Sequence, residues 1–240
     1  MIDVVGVTTL SDSLAAIRKV VFEDRLCSLQ ELSDAMDANW KGHEKLRQAC
    51  IHAPKFGNDD DAADSLNAML VHYISDDLFR RDTLFGGHWG IDINGWSGAV
   101  ELGAYTGATA DGRFCGEPIA DCAGPAQGRD QNGATAVLHS MAKLPFHETH
   151  GPLVLSMKFT PQTVLGENLE KLCDLIRTYF SMGGMQFQPT VVSAEDLKAA
   201  QKAPEKWRDL IVRVGGFSAR FVDLLPAWQE DMIRRTENGL

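Results

Sequence analysis

Through the first third of the chain, apolar residues recur at helical spacing. Leu14, Ile17 and Val21 fall on one face behind Ser11, which is placed to cap a helix. Ser28 and Glu31 have the spacing of a capping box ahead of Leu32 and Met36, so a second helix starts there. From about Asp61 to Phe79 the pattern predicts a third helix, with Leu66, Leu70, Tyr73 and Ile74 facing inward. Between Phe85 and Gly133 the period disappears. GGHWG, NGWSG, GATADGR, GEP and NGA succeed one another there, a glycine density that predicts long, shaped loops.

Regular patterning then returns. PLVLSMKF (152–159) reads as a buried strand. GENLEKLCDLIRTYFSMGG reads as an amphipathic helix with Leu169, Leu172, Cys173 and Ile176 inward, stopped by Gly183. MQFQPTVV reads as a strand whose pairing Pro189 limits. Ser193 with Asp196 starts another helix, DLIVRV (209–214) reads as a short buried strand, and Pro226 opens the last helix. Strand, helix, strand, helix, strand is the signature of a parallel α/β fold.

Composition narrows the function classes. The chain has 240 residues, 44% of them hydrophobic, so a packed core is expected and global disorder is not. A net charge of -10 argues against a nucleic-acid partner, which needs clustered Lys and Arg. No apolar run approaches the roughly 20 residues of a membrane helix, and no secretory signal is visible. The five cysteines, Cys27, Cys50, Cys115, Cys122 and Cys173, form no CxxC pair, which points to a reducing cytoplasm rather than a disulfide framework. The seven histidines show no metal-ligand spacing, and His139, His147 and His150 read as structural or surface residues. Asp59, Asp60 and Asp61 precede a helix and favour its N-terminus better than they make a cation loop. Asp111 and Arg113 are expected to hold the GATADGR turn by charge-assisted hydrogen bonds.

The most specific segment is LIVRVGGFSARFVDL, residues 210–224. A GG pair after a strand is by itself a turn signal. Here it stands in the order Arg213, Val214, Gly215, Gly216, Phe217, Ser218, which resembles the radical loop of the glycyl radical enzymes of the pyruvate formate-lyase type. The family usually has Ser or Ala before the radical glycine and often Tyr after it, so Gly215 and Phe217 are departures. The chemistry suits glycine. A radical on a backbone α-carbon is stabilised when planar and conjugated with both flanking peptide groups, and a Cβ would crowd that form. A radical stored on Gly216 is then a protein-derived cofactor, with no other cofactor and no metal expected.

Further blocks of resemblance span nearly the whole chain in order. They are SDSLAAIRK (11–19), PKFGNDDD (54–61), GATADGR (107–113, with Ala110 in place of the family's proline), GEPIAD (116–121), GRDQNGATAVLHSMAKLPF (128–146), the GG and VVS of 183–193, PEKWRDL and QEDMIRRTE. The resemblance implies part of a ten-stranded α/β barrel with helices outside. Residues 1–115 would belong to the barrel and residues 116–240 to the glycine radical domain. It implies a radical S-adenosylmethionine activating enzyme as partner, a homodimer of the full enzyme, and anaerobic C–C or C–X bond cleavage. Gln188, one strand before the loop, is a candidate pocket residue of the decarboxylase and dehydratase branches. AKLPF and GRDQ pull instead toward pyruvate formate-lyase itself, a formate C-acetyltransferase. The family's thiyl cysteine belongs to an N-terminal half that precedes the block at residues 11–19, and Cys115 and Cys122 are poor substitutes for it. Three readings stay open: an enzyme completed by that half, a spare part that restores a damaged lyase, and an inert fragment.

Overall fold

The computed structural model describes residues 1–95 and 98–239; Trp96 and Ser97 of the NGWSG segment lie outside the described residues. Strand β1 (Ile2–Asp3) pairs in parallel with β2 (Ile91–Asp92). Helix α1 (Val7–Ile17) follows and runs on into a π-helical turn at Arg18–Glu23. It starts earlier than the sequence pattern suggests. Gly6, at φ +84°, takes the N-cap position, while Ser11 is buried inside the helix and its Oγ donates to the Thr8 carbonyl at 2.9 Å. A serine that back-bonds within a helix gives the same local signal as a cap.

Helix α2 (Leu29–Asp37) carries the expected capping box, with the Ser28 side chain bonded to the Glu31 N–H and Glu31 bonded back to Ser28 N. Helix α3 (Glu44–His52) precedes α4 (Asp61–Phe79), whose bounds match the expectation. Its buried face differs. Ala63, Asp64, Asn67, Val71 and Ser75 face the interior, Leu70 and Ile74 pack beside them, and Tyr73 is 67% exposed. Small residues on α4 allow close approach to α1, where Asn67 Nδ2 donates to Thr8 Oγ1 at 3.1 Å. Helices α5 (Gly98–Ala104) and α6 (Gly133–Ala142) lie within and at the end of the glycine-rich stretch.

The main sheet runs in the order β4-β3-β7, all parallel: β4 is Gln186–Val191, β3 is Val154–Phe159 and β7 is Glu237–Asn238. Helix α7 (Glu167–Ser181) makes the β3-to-β4 crossover and buries Leu172 and Tyr179, whereas Leu169 is 45% exposed. Pro189 sits on β4, at the edge of the sheet, as a residue without an N–H must. The segment at 209–214 departs from expectation. Its strand β5 (Ile211–Arg213) does not extend the parallel sheet but pairs antiparallel with β6 (Ser218–Arg220). A two-residue turn forces antiparallel return, whereas a parallel partner needs a crossover. The third parallel strand is β7 instead.

Helix α8 (Ala194–Lys202), capped by Ser193 as expected, and α9 (Pro226–Arg234) flank that hairpin. Val192, Leu197, Val212, Val214, Phe221 and Met232 close a small core under it. A larger core joins Phe56, Val71, Ile91, Leu138, Leu155 and Phe159.

Candidate functional site

The β5–β6 hairpin exists because Arg213-Val214 and Phe217-Ser218 can extend while two glycines reverse the chain. Val214 N–H donates to the Phe217 carbonyl at 2.9 Å, which leaves Gly215 and Gly216 as the turn. Val214 is buried and anchors the hairpin, Gly215 is buried, and Gly216, Phe217 and Ser218 face outward. Gly216 has φ +77°, a backbone region that costs other L-residues about 1–2 kcal/mol. Beyond Gly216 and its two chain neighbours, no described atom lies within 4 Å of the position a Cβ would occupy there. The α-carbon is therefore held in a glycine conformation with open space in front of it. Arg213 faces Ser218 across the hairpin, its Nη1 at 3.5 Å from Ser218 Oγ.

Strand β4 fastens this turn from below. Gln188 and Thr190 project to the same side, two residues apart. Thr190 Oγ1 donates to the Arg213 carbonyl at 3.2 Å. The Gly216 N–H donates to Gln188 Oε1 at 2.8 Å, and Gln188 is itself buried. The site residues named from the sequence thus come together: Arg213 to Ser218 form one hairpin, and Gln188 touches its apex. Thr190 was missed. The signal for it was position alone, the next same-side residue on the strand after Gln188.

The remaining candidates serve the scaffold. The Arg113 guanidinium donates to the carbonyls of Glu117, Thr106 and Gly107, and Asp111 accepts from Thr109 Oγ1, so this pair shapes the GATADGR turn as expected. The Asp59–Asp61 cluster is gathered around the Lys143 ammonium, at 2.9 Å from Asp59, 2.7 Å from Asp61 and 2.8 Å from Asp64. Asp60 caps α4 by accepting from Ala62 N–H at 2.9 Å. Among the described residues no group of His, Cys, Asp and Glu is placed to hold a metal ion. Cys115 is exposed. Cys122 is buried, and its thiol donates to Asp121 Oδ1 at 3.1 Å. Burial first, then the Asp121 carboxylate, push that thiol far above its ordinary value, so it is no thiolate.

Among the described residues no helix is long and apolar enough to cross a membrane. Residues 1–103 match the pyruvate formate lyase-like family model, and residues 119–222 match the glycine radical model. The probable dehydratase YbiW of Escherichia coli is 41% identical over 98% of this chain and 30% of its own length. The trans-4-hydroxy-L-proline dehydratase of Clostridioides difficile is 37% identical over 97% of this chain and 30% of its own length. Isethionate sulfite-lyases and the glycyl radical subunit of a 4-hydroxyphenylacetate decarboxylase are also relatives. The glycerol-bound B12-independent glycerol dehydratase from Clostridium butyricum superposes with a TM-score of 0.94 at 37% identity, over 99% of this chain and 30% of that one. The chain thus spans about 30% of the length of these relatives. Formate C-acetyltransferase and acyltransferase activity, which AKLPF and GRDQ suggested, have no counterpart among these named relatives, which are dehydratases and lyases. A glycine hairpin built around Gly216 and matches along the whole chain lead to one conclusion: the chain belongs to the glycyl radical enzyme family, to whose C-terminal portion it corresponds.

Proposed function

We propose that this chain stores a backbone radical on Gly216 and passes it to a cysteine in an N-terminal part, whose thiol returns a hydrogen atom to Gly216 and becomes a thiyl, for anaerobic C–C or C–X bond cleavage. The single observation that carries the reading is the geometry of Gly216. It is exposed at the apex of a two-residue turn, has φ +77° and faces open space at its α-carbon. An abstracting partner can approach that carbon, and the remaining α-hydrogen leaves it free to flatten.

Arg213, Val214, Gly215, Phe217 and Ser218 support the loop, and Gln188 belongs to the pocket behind it. The radical is installed by a radical S-adenosylmethionine activating enzyme, which removes one α-hydrogen from Gly216. Residues 1–115 contribute to a ten-stranded barrel and residues 116–240 form the radical domain, in an enzyme that works as a homodimer in the cytoplasm. Dehydration, sulfite elimination and decarboxylation are what the names of the relatives describe, and elimination from a small hydroxylated substrate is the reaction class assigned here. The alternatives are a spare part that lends a fresh radical loop to a damaged lyase, and an inert fragment.

The test is electron paramagnetic resonance of the activated, assembled protein. A large doublet is expected from the one remaining α-hydrogen of Gly216, collapsing to a single line when the protein is grown on α-deuterated glycine. A doublet that survives in Gly216→Ala would contradict the assignment. Turnover by this chain alone would contradict the need for a thiyl partner.

A further inference from the structure

The turn that carries Gly216 is held at two atoms by residues outside its own hairpin, both from one side of β4. Thr190 grips the carbonyl of Arg213, at the entry to the turn, and Gln188 grips the N–H of Gly216, at its apex. The second contact is unusual in its cost. Gln188 is only 5% exposed, and its Nε2 is buried without a hydrogen-bond partner, yet its Oε1 reaches an amide on an exposed residue. Burying a carboxamide with half its capacity unused is unfavourable. Its orientation is not open to choice, because a backbone N–H can only donate and so must meet the oxygen end.

We propose that Gln188 is a positioning residue that tunes the Gly216 radical through this amide hydrogen bond; the inference rests on the radical role proposed above. An α-carbon radical between two peptide groups gives spin to its carbonyl side and draws electron density from the lone pair of its own nitrogen. An acceptor on the N–H raises the electron density at that nitrogen and strengthens its donation. Spin then leaves the α-carbon, and the coupling of the remaining α-hydrogen falls in proportion. The same bond fixes the direction of the N–H and with it the plane the radical adopts. No bond is made or broken at Gln188, and the Gly216 N–H is retained throughout.

The acceptor series Gln188→Leu, Gln188→Asn and Gln188→Glu tests this in the assembled, anaerobically activated protein. Leu removes the acceptor, and Asn keeps the amide one methylene too short to reach; both should widen the α-hydrogen doublet. Glu keeps an acceptor at full reach and should retain or narrow the wild-type splitting. Thr190→Val, which loosens the loop at Arg213 without touching the Gly216 amide, should leave the splitting unchanged. A role in packing alone moves none of these splittings. Before activation, hydrogen exchange at the Gly216 amide should run about five-fold faster in the Leu and Asn variants, as befits a hydrogen bond of about 1 kcal/mol. If Leu prevents folding, the Asn and Glu variants carry the comparison. A wild-type doublet with the same splitting in every variant overturns the inference alone, as does unchanged exchange at Gly216. A wild-type protein without a doublet overturns the radical reading and this inference with it.

Discussion

Replacing Lys143 by Met removes the cation around which the FGNDDD turn is gathered, and the structure sets the size of the effect. Lys143 Nζ lies within 2.9 Å of three carboxylates, of which Asp64 matters most because its side chain is wholly buried. Asp64 keeps a 2.9 Å hydrogen bond from Ser140 Oγ, but its Oδ1 already lacks a partner. Burial holds the Asp64 carboxyl above its ordinary range, and the Lys143 ammonium works against that burial. Breaking a buried ion pair by deleting one partner costs about 3–5 kcal/mol. The Lys143 side chain is 32% exposed, so water recovers part of this and about 2–3 kcal/mol is expected. In the variant the Asp64 pKa rises further, because the Lys143 cation beside it is gone. The variant is then penalised most above that raised value and least below it. Denaturant unfolding should therefore show a deficit at pH 7 that shrinks as pH falls toward 4, and Lys143→Met/Asp64→Asn should recover most of it. A deficit below about 0.5 kcal/mol, or one independent of pH, would refute the reasoning, since that is the usual range of neutral surface changes.

Two other outcomes follow from the same structure. Burial raises the Asp12 carboxyl from 3.8 to about 8, against the pull of the Phe56 N–H and the Lys55 ammonium. A raised carboxyl means that the folded state holds its proton more tightly, so stability from this group falls as pH rises from about 4 to about 8. Asp12→Asn keeps an acceptor for the Phe56 N–H and should match the wild type near pH 4 but exceed it near pH 8; parallel stability curves would contradict this. Leu10, Phe22, Leu26 and Leu29 are all exposed along and after α1, and Leu10 lines an apolar groove with Val5, Ile17, Met36 and Ile119. Light scattering on the purified chain should show self-association through such a face, and a monodisperse monomer would count against it.

Local chemistry was legible in the sequence wherever it depends on neighbours along the chain. The Ser28–Glu31 capping box, the Ser193 cap, Pro226 at the start of α9 and the bounds of α4 all depend on residues within a few positions. Pairing between distant segments was not legible. Nothing in DLIVRV distinguishes a strand that joins a parallel sheet from one that folds back on its own hairpin, and the two-residue strand β7 has no pattern of its own. The buried face of α4 was legible in part: Leu70 and Ile74 pack on the core as expected, whereas Asp64, Asn67 and Ser75 are buried through tertiary hydrogen bonds that a hydrophobic pattern cannot reveal. The glycine hairpin was readable because the order Arg213 to Ser218 resembles the radical loop of a known family; the GG pair alone signals only a turn. The contact from Gln188 to Gly216 spans 28 positions, and only the fold brings those two residues together.

The most direct test of the central claim is where oxygen cuts the chain. Exposure of the activated, assembled protein to air should add oxygen to the Gly216 α-carbon and break its N–Cα bond, releasing a C-terminal piece that mass spectrometry finds with Phe217 as its first intact residue and the oxidised remnant of Gly216 on the Phe217 nitrogen. Gly216→Ala should remove the cleavage entirely, while Gly215→Ala should leave it in place. Cleavage at Gly215, cleavage that persists in Gly216→Ala, or an intact chain from a protein bearing the radical doublet would contradict Gly216 as the seat of the radical.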